Sequence, residues 1–147
     1  MRKFELIKKY QKQEIIIPKR ATSLSAGYDL ASSEDVIIKP KEIVLIPTGL
    51  KVSIPKDEVL LVFPRSSLAI KKGLMMSNGV GVVDADYYNN NDNEGHLMIP
   101  LINFTDHDVL VQRGERVAQG IFVKYGTTAD DVSSDELRKG GFGSSGQ

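Results

Sequence analysis

The chain has 147 residues, of which 41% are hydrophobic and 26% charged, and its 19 Lys and Arg residues balance 19 Asp and Glu residues. This balance provides no overall field to hold a nucleic-acid backbone or an anionic membrane, so neither is expected as a partner and a small charged metabolite fits better. Because the chain has no Cys and only two His, a disulfide framework is excluded and a zinc site is disfavoured, which leaves hard cations such as Mg²⁺ bound by oxygen atoms.

Short runs rich in Val and Ile, separated by turn residues, follow one another along the chain. These runs span residues 4–7, 36–38, 43–46, 52–54, 59–63, 74–76, 80–83, 97–104, 109–111 and 117–123. About ten strand-length runs at this spacing predict an all-β fold, a jelly-roll-like barrel or sandwich. The one good helix candidate is "SSLAIKKG", where Ser66 or Ser67 can cap the first N–H groups and Gly73 can end the helix. We therefore predict one domain over residues 1–147.

The two ends of the chain differ in character. The first twenty residues are basic but hold no apolar run of signal-peptide length, and no segment approaches the ~20 apolar residues of a membrane span, so we expect a cytoplasmic protein. The last nine residues, "KGGFGSSGQ", have too much Gly and Ser to form a helix or central strand. They are either a disordered terminus or an arm that closes over a ligand with Phe142.

Arg65, Ser66 and Ser67 directly precede or begin the predicted helix. A guanidinium, two hydroxyls and the N–H groups of a helix start together outline an anion site. The segment alone equally fits an ordinary helix cap with a surface Arg.

Asp84 follows the apolar residues Val80, Val82 and Val83. At the end of an apolar strand, partial desolvation would keep its carboxylate reactive as a general base. The glycines at 79 and 81 would allow close approach of another group to the backbone. The alternative is a turn in which the carboxylate only accepts backbone hydrogen bonds.

Two further polar residues lie among small or apolar neighbours. Asp29 stands in the strand-like segment "SAGYDL", and Gln119 stands between Ala118 and Gly120 in "RGERVAQGIF". Asp29 is either an edge acid or a functional carboxylate. Gln119 is either a satisfied core amide or a ligand contact, and its small neighbours leave room for a ligand.

Five segments in this order, "AGYDL", "PRSSLAIKKG", "NGVGVVDADY", "RGERVAQ" and "RKGGFGSSG", resemble the five ordered motifs of the trimeric dUTP diphosphatases, the dUTPases. The resemblance extends over residues 26–146. It implies an all-β jelly-roll-like fold and an enzyme that cleaves dUTP to dUMP and pyrophosphate, with Mg²⁺ chelated by the triphosphate and no direct protein ligand.

The resemblance also implies residue roles. Asp84 matches the acid that activates the water attacking the α-phosphorus. Phosphate contacts fall to Arg65, Ser66, Ser67 and Gln119, while Asp29 supports the phosphate and metal-water region.

A hairpin over residues 78–98 is implied to bind the nucleoside. Tyr87 would pack against the deoxyribose, where a 2′-hydroxyl would clash. The residues implied around the uracil are Asn78, Gly81, Val82, Val83 and Met98. In the C-terminal arm, a mobile lid over residues 137–147, Phe142 would stack on the base. Arg138, Gly143 and Ser144 would reach the phosphates.

The chain departs from the family pattern in the third motif. Where the family has a short Tyr-x-Gly turn, six residues, 89–94, separate Tyr88 from Gly95. This insertion motivates an alternative function, a regulatory protein-binding module on the dUTPase fold, as in phages. A related dCTP deaminase is a second alternative. The family further implies a homotrimer whose active sites combine residues of several subunits.

Overall fold

The computed structural model describes residues 1–132 and 141, and this part of the chain is built mainly from short antiparallel strands. The strands are β1 Lys3–Leu6, β2 Tyr28–Ala31, β3 Val36–Ile38, β4 Ile43–Pro47, β5 Leu50–Ser53, β6 Glu58–Pro64, β7 Leu74–Met76, β8 Gly81–Val83, β9 Met98–Asn103, β10 Val109–Val111 and β11 Arg116–Lys124. One α-helix, α1, spans Ser66–Lys72, and 3-10 turns span Lys8–Tyr10 and Ala85–Tyr87. The predicted all-β fold with one short helix is confirmed.

The strands form four sheets. A four-stranded sheet has the order β2-β11-β6-β8, a three-stranded sheet has the order β4-β9-β7, and β1-β5 and β3-β10 are two-stranded pairs. Within the described residues the strands do not close into a barrel. The jelly-roll-like packing of open sheets is the architecture found.

The core lies between these sheets and is filled by aliphatic side chains. Leu30, Leu60 and Val117 come from the four-stranded sheet, and Ile46 and Leu101 from the three-stranded sheet; all have 0% exposure. Burying each such side chain contributes about 1.5–3 kcal/mol. Because successive side chains of a strand point to opposite faces, burying these residues determines which face of each sheet is turned toward the core.

Helix α1 begins differently from the prediction. Arg65 occupies the N-cap position without a side-chain capping bond, and Ser66 and Ser67 lie in the first turn. The predicted serine cap is therefore wrong, because β6 runs to Pro64 and the helix begins one residue earlier than a serine cap needs. Gly73 ends the helix as predicted, with φ +65°.

The predicted hairpin over residues 78–98 is also wrong as a paired structure. β8 pairs with β6, whereas β9 pairs with β4 and β7. β8 ends at Val83 and β9 begins at Met98, and the residues between them form the Ala85–Tyr87 turn and a polar loop rather than paired strands. This segment instead carries the chain from the four-stranded to the three-stranded sheet. β2, which was absent from the predicted runs, pairs with β11.

His96 anchors the end of this connection. Its Nε2 accepts a hydrogen bond from the Gly49 N–H at 2.9 Å, and its ring centroid lies 5.4 Å from that of Tyr10. Burial, with a smaller contribution from the charge of Lys9, lowers the pKa of His96 from 6.5 to about 4. The imidazole is therefore neutral in the folded protein at neutral pH.

We expect the free energy of unfolding to fall as pH drops from 6.5 to 4. In this window the unfolded chain binds a proton at position 96 that the folded chain does not, so stability rises with pH. The expected loss is roughly 2 kcal/mol, allowing for residual solvation. Chemical denaturation across this range should show it for the native chain. His96→Gln, which cannot titrate, should lose less, and parallel curves for the two proteins would contradict the assignment.

Candidate active site

A cavity of about 290 Å³ lies between β8, β9 and the connection that joins them. The candidate residues that line it are Asn78, Gly81, Val82, Val83, Asp84, Tyr87 and Met98. His96 and Leu97 also line it, although the sequence did not single them out. The residues proposed around a uracil nucleoside thus surround one cavity.

Asp84 directly follows β8 and begins the Ala85–Tyr87 turn, where its backbone oxygen accepts the Tyr87 N–H at 3.1 Å. Its side chain is exposed. The expected desolvation by a buried strand is therefore not found, because β8 is the edge strand of its sheet and Val82 is 64% exposed.

Tyr87 is held firmly at the wall of the cavity. The side chain is 8% exposed, and its hydroxyl donates to the His96 carbonyl oxygen at 2.7 Å. The same hydroxyl accepts from Asn93 Nδ2 at 2.8 Å. Gly141 also lines the cavity, and a Cβ at this position would lie 2.8 Å from Tyr87 Cε1. The ring therefore has a fixed position and a close glycine neighbour.

A second polar cluster lies where β2, β6 and β11 meet. Asp29 Oδ1 is 3.8 Å from Arg65 Nε, and Asp29 Oδ2 accepts from Arg116 at 3.2 Å. Gln119 is directly opposite Asp29 in the strand register. Arg116 was not among the predicted site residues, although it lies within the segment "RGERVAQ". Two guanidinium groups thus flank one carboxylate.

The small neighbours of Gln119 have a different use from the one predicted. A Cβ at Gly120 would lie 3.0 Å from Leu60 Cδ1, so this glycine makes room for the core rather than for a ligand. A Cβ at Gly27 would lie 2.4 Å from Gln119 Oε1. The absence of a side chain at Gly27 therefore leaves the space that the Gln119 amide occupies.

Two groups of candidate residues remain apart in the single chain. None of Asp29, Arg65, Ser66, Ser67 and Gln119 lines the cavity that contains Asp84. Ser66 is exposed and Ser67 half-buried. The four candidates of the C-terminal arm lie outside the described residues: Arg138, Phe142, Gly143 and Ser144.

Within residues 1–132 and 141, no group of three or more His, Asp or Glu side chains could hold a metal ion. The same part of the chain has no helix long and apolar enough to cross a membrane.

Comparison with known proteins places this geometry in a family. A family model described as dUTPase matches residues 13–146. The deoxyuridine 5'-triphosphate nucleotidohydrolase of Lactococcus lactis is 50% identical over 147 residues, covering 99% of this chain and 98% of the relative. That of Treponema denticola is 40% identical over 141 residues, covering 92% and 94%.

Solved structures similar to this chain are also dUTPases. A crystal structure of the Streptococcus mutans dUTPase has 48% identity and a TM-score of 0.82, covering 85% of this chain and 97% of that chain. A variant of the phage 80alpha dUTPase has 26% identity and a TM-score of 0.73, covering 99% and 98%. From the family model and the full-length relatives, the chain belongs to the dUTPase family.

Proposed function

We propose that the chain hydrolyses dUTP to dUMP and pyrophosphate, and that Asp84 orients and deprotonates the water that attacks the α-phosphorus. The observation that carries the proposal is the position of Asp84 on a nucleoside-sized cavity, in a chain of the dUTPase family. A carboxylate at the mouth of such a cavity can hold one water toward a bound phosphate and accept its proton while the water oxygen bonds to the α-phosphorus. The bond from the α-phosphorus to the bridging oxygen then breaks, and pyrophosphate leaves with the negative charge.

Recognition of uracil falls to β8. The strand pairs with β6 on one side only in the described part of the chain, so its other edge can present backbone N–H and C=O groups to a base. Fixed donors and acceptors of this kind reject cytosine, because the wrong exocyclic group leaves buried polar groups unpaired. Asn78 and Met98 complete the base site, and Tyr87 meets the deoxyribose.

The triphosphate binds at the second cluster. Arg65, Ser66, Ser67 and Gln119 contact phosphate oxygens. Asp29, held between Arg65 and Arg116, would support the region where phosphate and the water around a bound Mg²⁺ meet. The dUTPase family uses Mg²⁺, and an ion of this kind would be held mainly by phosphate and water oxygens. Bound there, Mg²⁺ neutralises charge on the phosphates.

The assembly is a homotrimer in which the cavity of one chain meets the phosphate cluster of another. The separation of the two groups within one chain supports this arrangement. An apolar outer face on the three-stranded sheet supports it too: Ile43, Leu45 and Met75 are 57%, 42% and 49% exposed. Apolar patches of this kind mark contacts between chains.

The C-terminal arm acts as a lid. Gly141 lines the cavity beside the Tyr87 ring, which supports an arm that reaches a base bound there. Phe142 stacks on uracil, and Arg138, Gly143 and Ser144 reach the phosphates. The entropy lost on ordering the glycines is recovered only when nucleotide is bound.

Asp84→Asn should lower kcat for dUTP by about a thousandfold, since the amide cannot take a proton from water. Nucleotide affinity should change little. Pyrophosphate release from dUTP, dTTP, dCTP and UTP with Mg²⁺ measures both rate and selectivity, and only dUTP should be cleaved efficiently. Asp92→Asn, the same change at an exposed position, is the control. Undiminished turnover in Asp84→Asn would refute the assignment, and deamination of dCTP would indicate the alternative enzyme.

Mixing two inactive variants tests the shared site. If Arg65 and Asp84 of one site come from different chains, randomly co-assembled Arg65→Ala and Asp84→Asn chains should recover about a quarter of native activity. Replacing either partner by the double variant, which carries both changes on one chain, should abolish the recovery. An inactive mixture that still forms trimers would place both residues of a site on the same chain.

Truncation after Lys139 should strongly reduce kcat/KM for dUTP, because the base loses its aromatic cover and the phosphates lose the arm. Phe142→Ala should reproduce part of this loss in the full-length chain. Steady-state kinetics on both proteins provide the measurement. Unchanged turnover in the truncated chain would show that the arm is not a lid.

A further inference from the structure

The inserted loop over residues 89–94 is bonded to the Tyr87 side chain. We infer that Asn93 is a positioning residue that holds the Tyr87 phenol against the sugar, and that the loop thereby sets the preference for deoxyribonucleotides over ribonucleotides. The inference rests on the proposed function, since it takes Tyr87 as the residue that meets the deoxyribose.

The orientation of the Asn93 amide is fixed by its neighbours. Asn93 Oδ1 accepts from the Gly95 N–H at 3.1 Å and from Asn90 Nδ2 at 2.8 Å. With the oxygen committed to two donors, the NH₂ group faces Tyr87 and donates to its hydroxyl at 2.8 Å. The Tyr87 proton then points to the His96 carbonyl oxygen. Both hydrogen bonds have one consistent direction, so the phenol has a single favoured position.

Asn90 fixes Asn93 in turn. The Asn90 side chain is 7% exposed, and its Oδ1 accepts the N–H groups of Asp92 and Asn93, each at 3.0 Å. Its Nδ2 also donates to the Tyr87 carbonyl oxygen at 2.8 Å. The loop is thus bonded to both the backbone and the side chain of Tyr87. It braces this residue rather than presenting these two amides to a partner protein.

The far end of the loop is attached to the body of the domain. Glu94 accepts from Lys51 Nζ at 2.8 Å and from the Lys8 N–H at 3.1 Å. Lys51 Nζ also donates to Asn89 Oδ1 at 2.6 Å. Glu94 has φ +63°, a conformation that costs about 1 kcal/mol or more in a residue with a side chain and persists only when its surroundings impose it. The loop that positions Tyr87 is therefore itself held in place by its contacts with Lys51 and Lys8.

Rigidity of the ring matters for selectivity more than for rate. A ring that cannot yield makes an added 2′-hydroxyl clash, whereas a ring that can shift accommodates the hydroxyl at lower cost. Loss of the Asn93 bond should therefore raise activity toward UTP relative to dUTP, while hydrolysis of dUTP itself changes little.

The experiment compares Asn93→Ala with Asn91→Ala, which removes the same side chain from an exposed position of the same loop. The readout is the ratio of kcat/KM for dUTP to that for UTP, together with the ratio of dissociation constants for UDP and dUDP. We expect Asn93→Ala to lower both ratios about tenfold. Asn91→Ala should leave them unchanged. Equal losses for both nucleotides in Asn93→Ala would show a structural role only and overturn the inference.

A second variant covers the case in which Asn93→Ala folds poorly. Asn93→Asp keeps an oxygen for Gly95 and Asn90 but removes the donor to Tyr87, so it should also lower the ratios. In the Tyr87→Phe background, Asn93→Ala should have no further effect on them, because the bond is already absent. An additional tenfold loss there would contradict a role through Tyr87.

The diphosphate measurements separate this inference from the proposed function. A native chain that bound dUDP in preference to UDP but released no pyrophosphate from dUTP would refute the hydrolysis and leave the sugar test intact. A native chain with full dUTPase activity whose Asn93 variants kept their selectivity would refute the inference alone.

Discussion

The hydrogen bond from the Tyr87 hydroxyl to the His96 carbonyl oxygen is the interaction on which the rest of the candidate site depends. This bond joins the two ends of the long connection between β8 and β9. The contacts of Glu94 with Lys51 and Lys8 hold the same connection at a second point. Tyr87 and Leu97 are thus held in place as one wall of the cavity that Asp84 and β8 also line. Such preorganisation is what allows a carboxylate to act on one particular water molecule.

The constraint continues into the core through His96. Its imidazole must remain neutral to accept the Gly49 N–H, and burial keeps it so. Leu97, the next residue, donates its N–H to Leu50 at 2.8 Å and accepts from Thr48. The wall of the site is therefore stabilised by the same hydrogen bonds that attach the connection to β5. Stability of the core and geometry of the site are coupled through these few contacts.

Much of the fold could be predicted because strand periodicity is local. The residues of β3, β7 and β10 match the predicted runs, since each is a short, continuous run of apolar residues in the sequence. Pairing was harder, because which strand lies beside β8 depends on distant residues such as Val62. The strand-like character of the segment around Asp29 was visible in the sequence and is confirmed by β2, but its pairing with β11 joins residues far apart in sequence.

Part of the candidate site could also be predicted, because its motifs are local in sequence. Ordered motifs indicated Asp84 and Tyr87, which the fold does bring to one cavity. They did not indicate Arg116, whose contact with Asp29 joins residues far apart in sequence, or Asn93, which lies in an insertion outside the family pattern. Exposure of Asp84 could not be foreseen either, because it follows from the edge position of β8.

The central claim is that the carboxylate of Asp84 primes a water for attack on the α-phosphorus. A crystal structure of the chain with Mg²⁺ and a dUTP analogue whose α,β-bridging oxygen is replaced by NH tests it most directly. The account predicts a water within about 3 Å of an Asp84 oxygen, in line with the α-phosphorus and opposite the bridging nitrogen. An ordered analogue in the cavity, with the Asp84 carboxylate turned away from the α-phosphate and no water between them, would contradict it.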